Sequence, residues 1–268
     1  MITISDLTYS YPKKNLLFDT MNLQFKQGQI YGLLGKNGMG KSTLLKIIGG
    51  YLFPNSGSVR LNEEEPQKRR PHLMEQVFFL SEEFNLPSLS IQQYLSAFSA
   101  FYSNFDSDLF YSVLSEFGID ANEHLYQLSY GQKKKFIISF GLATRAKYLI
   151  FDEPTNGLDI PSKADFRQII AEHLTDEQIV IISTHQIKDL EHLLDAIAII
   201  DEGKIVLIKE ISCIEERVLF STTTTLENDK SILHHQRIPG GYLTVSENKE
   251  KQASKIEIES IYTQRNIN

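Results

Sequence analysis

Between Gly35 and Thr43 the chain reads Gly-Lys-Asn-Gly-Met-Gly-Lys-Ser-Thr, which sets Gly35, Gly40, Lys41 and Ser42 in the pattern G-x-x-x-x-G-K-[ST]. Each residue type has a chemical reason to be there. Small residues let successive backbone N–H groups turn inward around phosphate oxygens, so Gly35, Lys36, Asn37, Gly38, Gly40 and Thr43 are expected to cradle a nucleotide. Lys41 can reach the β- and γ-phosphates, and the Ser42 hydroxyl can ligate Mg²⁺. The bland alternative is a tight strand-to-helix turn. Its neighbours argue for phosphate binding: Ile30 to Leu34 reads as a buried strand, and Leu44, Leu45, Ile47 and Ile48 are spaced like one helix face ended by Gly49-Gly50. A helix starting there adds partial positive charge at the phosphates.

A second chemical group stands further along. Tyr148-Leu149-Ile150-Phe151 is a continuous apolar run that ends in Asp152-Glu153. A carboxylate at such a strand end can help hold Mg²⁺ directly or through water, and Glu153 beside it is placed to polarise a water for attack on a γ-phosphate. Acidic residues at strand ends also serve as helix caps. It is the P-loop upstream that gives this pair its chemical reading.

The elements that must position these groups follow from periodicity. Apolar runs at 30–34, 148–151, 179–182 and 197–200, each apolar throughout, belong to a parallel sheet buried on both faces. The fold class expected is α/β: a P-loop NTPase core with a mostly parallel sheet. Ile2 to Leu7 and Met21 to Phe25, separated by Pro12 and Lys13-Lys14-Asn15, predict an antiparallel β edge subdomain. From Ser88 the period changes. Ser90 and Gln93 offer a capping box, and Ile91, Leu95, Phe98, Phe101, Tyr102 and Phe105 recur at helical spacing. Asp106 is placed to cap a second helix with Gly118 as its stop, and the aromatic stripe reads as core. An inserted α-helical subdomain over about 86–145 is therefore expected, forming a small lobe of its own. Residues 211–268 predict a small C-terminal extension, with a turn at Pro239-Gly240-Gly241 and alternating pieces at 242–245 and 256–258. His234-His235 lacks ligand-spaced partners and reads as surface.

Composition narrows the function classes. The net charge is −7 from 27 basic and 34 acidic residues, and the densest basic clusters are Lys133–Lys135 and Lys68–Arg70. That balance disfavours a general nucleic-acid binder. Cys213 stands alone, so it forms no intrachain disulfide and is expected to act as a small apolar residue. No apolar run approaches the ~18 to 20 residues that cross a bilayer, so membrane association is expected to come through a partner.

The run YLIFDEPTNGLD at 148–159, with Leu128-Ser129-Tyr130-Gly131-Gln132 shortly before it, resembles the ATP-binding cassette (ABC) family over residues 1–210. The resemblance implies ATP and Mg²⁺ as ligands, Glu153 as the catalytic glutamate, Leu128–Gln132 as the signature motif and Asn156–Asp159 as the D-loop. His185 matches the histidine that senses the γ-phosphate, and Tyr11 is similar in position to the aromatic that stacks on adenine. Two departures stand out. Where the family has a metal-ligating glutamine, the segment Phe79–Glu83 has none, and Glu82 is the candidate substitute. Tyr130 stands where the signature has glycine, which leaves two readings: a competent motif carried by Ser129 and Gly131, or a site weakened by blocked backbone approach.

The family further implies that two copies pair head to tail, with ATP held between the P-loop of one and Ser129, Gly131 and Gln132 of the other. A separately encoded transmembrane permease is the expected partner, with the chain cytoplasmic and peripheral on the inner face of the cell membrane. The ending Glu257–Tyr262 looks like exporter-type cassettes, so export is the expected direction. A soluble cassette ATPase acting on the ribosome or DNA is the alternative; so is a regulatory module that binds ATP without turnover, against which Glu153 and His185 both speak.

Overall fold

A computed structural model of the chain describes residues 1–190, 192–225 and 232–248. Two antiparallel strands, β1 (Ile2–Ser10) and β2 (Leu16–Phe25), precede β3 (Gln29–Leu34), the P-loop and α1 (Lys41–Ile48). Next come β4 (Ser56–Leu61), the short α2 (Pro71–Met74) and β5 (Val77–Leu80), followed by α3 (Ile91–Phe98), α4 (Ser107–Glu116) and α5 (Tyr130–Ala143). Then β6 (Tyr148–Asp152), α6 (Ile160–His173), β7 (Ile179–Thr184), β8 (Ala196–Asp201) and β9 (Lys204–Glu210) complete the larger part. The last described elements are α7 (Ile211–Arg217), β10 (Val218–Thr223), β11 (Ile232–Ile238) and β12 (Gly241–Glu247).

A six-stranded sheet in the order β5-β6-β7-β3-β8-β9 organises the chain. Its first five strands are parallel and β9 runs antiparallel to β8, in keeping with the mostly parallel sheet read from the apolar runs. The strands are apolar throughout because both faces are covered, and period-two alternation sends successive side chains to opposite layers. Tyr148, Ile150, Ile179, Ile181, Leu33 and Ala198 join one core, which also holds α1 and the three-stranded antiparallel sheet β2-β1-β4. Leu149, Phe151, Val180, Ile182, Leu34 and Ile197 join the other, with α3, α4, α5 and α6. Apolar side chains of the helical segment are thus continuous with one face of the sheet.

Local signals explain where the helices start. Ser90 and Gln93 exchange side-chain and backbone hydrogen bonds as a capping box, and Asp106 accepts from the Leu109 N–H at 2.9 Å. Such caps stabilise by about 0.5–2 kcal/mol each. The helical spacing expected from Ile91 through Phe105 is interrupted: α3 stops at Phe98, a single 3₁₀ turn follows, and Tyr102 is extended. That break lets Tyr102 and Phe105 dock on Phe140, at ring distances of 6.0 and 5.1 Å, and leaves Phe101 69% exposed instead of in the core.

After β9, three strands form a separate antiparallel sheet in the order β10-β12-β11. Ile214, Val218, Phe220 and Val245 carry it onto the helix-bearing core. Cys213 is exposed, which corrects the apolar-packing expectation: on α7 it is the neighbouring Ile214 that faces inward. The expectations for 256–258 and Glu257–Tyr262 lie outside the described residues.

Candidate active site

Because β3, β5, β6, β7 and β8 are parallel, the turns after their C-terminal ends share one edge of the sheet. Ligands in open α/β sheets bind at that edge. The P-loop leaves β3 there, Glu82 follows β5, Glu153 follows β6 and His185 follows β7. A cleft of about 440 Å³ opens among them. Of the residues expected to bind nucleotide or metal, Tyr11, Asn37, Gly38, Gly40, Lys41, Ser42, Thr43 and Glu82 line it, together with Glu153. Gly40 caps α1 in a left-handed conformation, φ 102°, and a Cβ there would lie 2.7 Å from the Phe18 ring. Only glycine fits that turn.

Lys41 is 6% exposed. Its ammonium donates to the Gly35 carbonyl at 2.7 Å and to the Lys36 carbonyl at 3.4 Å, and lies 3.7 Å from Glu153 Oε1. Burial lowers its pKa, while Glu153 and Asp152 pull the other way. At the cleft mouth the Tyr11 hydroxyl is 3.0 Å from the Thr43 hydroxyl, and the Lys14 ammonium sits 5.5 Å from the Tyr11 ring.

Glu153 is the most constrained residue of the site. It is 3% exposed and has φ 48°, a left-handed conformation that costs a non-glycine residue about 1–3 kcal/mol. Its N–H donates to Ser183 Oγ at 3.0 Å and the Ser183 carbonyl at 3.2 Å, and its Oε1 lies 2.9 Å from His185 Nδ1. The second carboxylate oxygen, Oε2, is buried and has no hydrogen-bond partner among the described residues. An unpaired buried carboxylate oxygen calls for a hydrogen-bond donor from outside the protein. Asp152, the residue before, accepts from Ser183 Oγ at 2.5 Å.

The signature residues stand elsewhere. Ser129 caps α5 and is locked in a second capping box with Gln132: the Gln132 N–H donates to Ser129 Oγ at 3.2 Å, and the Ser129 N–H to Gln132 Oε1 at 2.9 Å. Ser129, Gly131 and Gln132 do not line the cleft. Tyr130 is 49% exposed; its hydroxyl donates to the Glu82 carbonyl at 3.0 Å and its ring packs 5.7 Å from that of Phe84. The aromatic departure therefore ties the signature to the Glu82 segment of the same chain. Glu82 Oε1 in turn accepts from Asn156 Nδ2 at 3.1 Å.

Sequence reading did not single out Ser183 or Lys134. Ser183 links Asp152 to Glu153, and Lys134 is wholly buried with its ammonium on the carbonyls of Glu153 and Asn156. A signal for Lys134 was present: Ile137 and Ile138 follow it at i+3 and i+4, the inward row of α5.

Residues 18–156, more than half of the sequence, match the ABC transporter family. The chain belongs to that family. As an ABC ATPase it binds and hydrolyses ATP. It is 33% identical to the lantibiotic transport ATP-binding protein SrtF of Streptococcus pyogenes over 213 residues, covering 78% of this chain and 91% of that one. It is 30% identical to the cobalt import ATP-binding protein CbiO of Salmonella paratyphi A over 227 residues, 77% of this chain and 80% of that one. Among solved structures, the dimeric bacterial ABC transporter cassette MJ0796 superposes with a TM-score of 0.67 at 22% identity, over 79% of this chain and 99% of that one. That likeness establishes the ABC ATPase fold.

Proposed function

We propose that this chain binds ATP with Mg²⁺ in the P-loop cleft, closes on a second copy of itself, and drives a separately encoded transmembrane permease. One observation carries the reading: the P-loop cleft and the signature motif are both present, yet Ser129, Gly131 and Gln132 do not line the cleft of their own chain. A second copy in head-to-tail arrangement supplies them to the phosphates.

Within the cleft, Lys41 exchanges its contact with the Gly35 carbonyl for the β- and γ-phosphates, and Tyr11 at the mouth offers its ring to adenine. Gly35, Lys36, Asn37, Gly38, Gly40 and Thr43 present backbone and hydroxyl donors. Glu153, through its unpartnered Oε2, accepts a proton from the attacking water, and His185 orients the carboxylate from Oε1. Ser42, Asp152 and Glu82 form a set of hard oxygen donors of the kind Mg²⁺ takes, and they are the residues that would hold it. Held there, Mg²⁺ would supply neutralisation of charge on the phosphoryl group.

Residues 1–210 are read as the ATPase domain, with a helical subdomain at 86–145, and residues 211–268 as an accessory region. Among the described residues no helix is long and apolar enough to cross a membrane, so the permease holds the chain at the inner face of the cell membrane. Export is the direction we read; of the relatives, one is named for lantibiotic transport, at 33% identity, and another for cobalt import, at 30%.

Light scattering of Glu153→Gln with ATP and Mg²⁺ tests the sandwich. Dimers are expected, and a species that stays monomeric at saturating ATP overturns it. Co-purification from membranes with a multi-span protein tests the partner.

A further inference from the structure

Lys134 lies one turn into α5 with 0% of its surface exposed, an unusual place for a lysine. Its long stem gives it the means to snorkel to solvent, as most lysines do. Instead the ammonium donates to the carbonyl of Asn156 at 2.8 Å and of Glu153 at 3.1 Å, and lies 5.4 Å from the centre of the Tyr130 ring. Those partners bracket one turn. The Asn156 N–H closes it by donating to the Glu153 carbonyl at 3.3 Å.

Glu153 enters that turn with φ 48°, a conformation a non-glycine residue keeps only when its surroundings over-determine it. On its N–H side the surroundings are Ser183 Oγ and the Ser183 carbonyl. On its carbonyl side they are the Asn156 amide and Lys134. The two peptide groups that flank the Glu153 side chain are therefore held from opposite directions, one by β7 and the other by the helix that the signature motif begins.

We propose that Lys134 is a positioning residue for ATP hydrolysis: it fixes the Glu153–Asn156 turn, so aiming the Glu153 carboxylate into the cleft, and it joins the signature helix to the catalytic strand of the same chain. The proposal rests on the reading of Glu153 as the group that polarises the attacking water. Ser129, which the second copy meets, caps the helix whose next turn carries Lys134. Displacement at the signature motif is thereby transmitted to the backbone of Glu153 through the Lys134 side chain. A shift of about 1 Å in a catalytic group is enough to cost on the order of 100-fold in rate.

The test compares steady-state hydrolysis by the full chain with ATP and Mg²⁺ in the wild type, Lys134→Met, Lys134→Gln and Glu153→Gln. Lys134→Met fills similar space without a donor and is expected to lower kcat by about 10- to 100-fold. KM for ATP should stay within about twofold, because the cleft lining is untouched. Lys134→Gln retains an N–H donor, one bond shorter, and should fall between the two. An unchanged kcat in Lys134→Met, a KM that rises in step with the fall in kcat, or Lys134→Gln performing no better than Lys134→Met would overturn the proposal. Should Lys134→Met fail to fold, Lys134→Gln carries the test by hydrogen exchange at residues 153–158: faster exchange with lowered kcat supports positioning, and either change without the other overturns it. If Glu153→Gln itself retains full kcat, the reading of Glu153 falls instead, which separates the two failures.

Discussion

Two buried lysines approach Glu153 from different sides, and they are partnered in different ways. Lys41 lies at the cleft, near a carboxylate oxygen at 3.7 Å and on the Gly35 carbonyl at 2.7 Å. Lys134 lies behind the same residue, on the Glu153 and Asn156 backbone carbonyls. Burial lowers the pKa of both, that of Lys134 to about 8. A cation beside an open cleft can trade its contacts for an incoming phosphate, whereas one enclosed on backbone carbonyls has nothing to trade and can only fix the shape around it. A neutral lysine amine still has two N–H donors, enough for both carbonyls, so the shape-fixing role does not need the charge. Phosphate binding does.

The strongest way to break this comparison is Lys41→Met. Losing one partner of a buried charged contact costs about 2–5 kcal/mol, so ATP affinity measured by titration calorimetry should fall by about 30- to 5,000-fold. Unchanged ATP affinity would show that Lys41 does not face the phosphates.

Gly40→Ala attacks the backbone that presents Lys41. The left-handed conformation at φ 102° costs alanine about 1–3 kcal/mol, and a Cβ 2.7 Å from the buried Phe18 ring adds overpacking of about 1–3 kcal/mol. Chemical denaturation should register the sum. A loss below about 0.5 kcal/mol would mean that the turn relaxes at no cost, and that its geometry is not fixed by the glycine.

The titration of Lys134 sharpens the contrast at a smaller scale. Its folded pKa of about 8 lies below the unfolded value of 10.5, so between those values the unfolded chain binds more protons and stability rises with pH. The cost of burying the charge is present in full below about pH 8 and is relieved as pH climbs through that window. Denaturation midpoints of the wild type and Lys134→Met at pH 7 and pH 9.5 should therefore move in the wild type's favour, with a slope of at most about 1.4 kcal/mol per pH unit. A difference independent of pH would contradict a depressed pKa.

The two lysines also differ in how readily the sequence reveals them. Lys41 sits in a motif whose spacing is local, and the apolar runs around it alternate between two cores as a parallel sheet requires. Lys134 stands inside Lys133-Lys134-Lys135, which reads as a solvated basic run unless its spacing to Ile137 and Ile138 is weighed. Its partners lie 19 and 22 residues away, beyond the reach of any helical or strand period. The same limit applies to Ser183 with Asp152, 31 residues apart, and to Glu82 with Asn156, 74 apart. Phe101 misled for another reason: helical spacing continued through Phe105, but aromatic docking on Phe140 favoured breaking the helix at Phe98. Residue type marked the chemistry at Glu153, while its left-handed backbone emerged only from contacts between distant strands.

Tyr130 offers the finest probe, since it touches both sides of the comparison: its ring lies 5.4 Å from the Lys134 ammonium, and its hydroxyl donates to the backbone of Glu82, a residue that lines the cleft of Lys41. Tyr130→Phe keeps the ring and removes a single hydrogen bond at a half-exposed position, so about 0.5–1.5 kcal/mol of stability should be lost, with the upper part of that range excluded by solvent access. If the hydroxyl merely braces the Glu82 segment, kcat and ATP affinity stay near wild type while Mg²⁺ affinity weakens by a few-fold at most, because only the approach of the Glu82 carboxylate has been loosened. A fall in kcat as large as that of Lys134→Met would instead make the tyrosine hydroxyl part of the same brace as the lysine, and would move the boundary between the binding side and the positioning side of Glu153 to the Glu82 strand end.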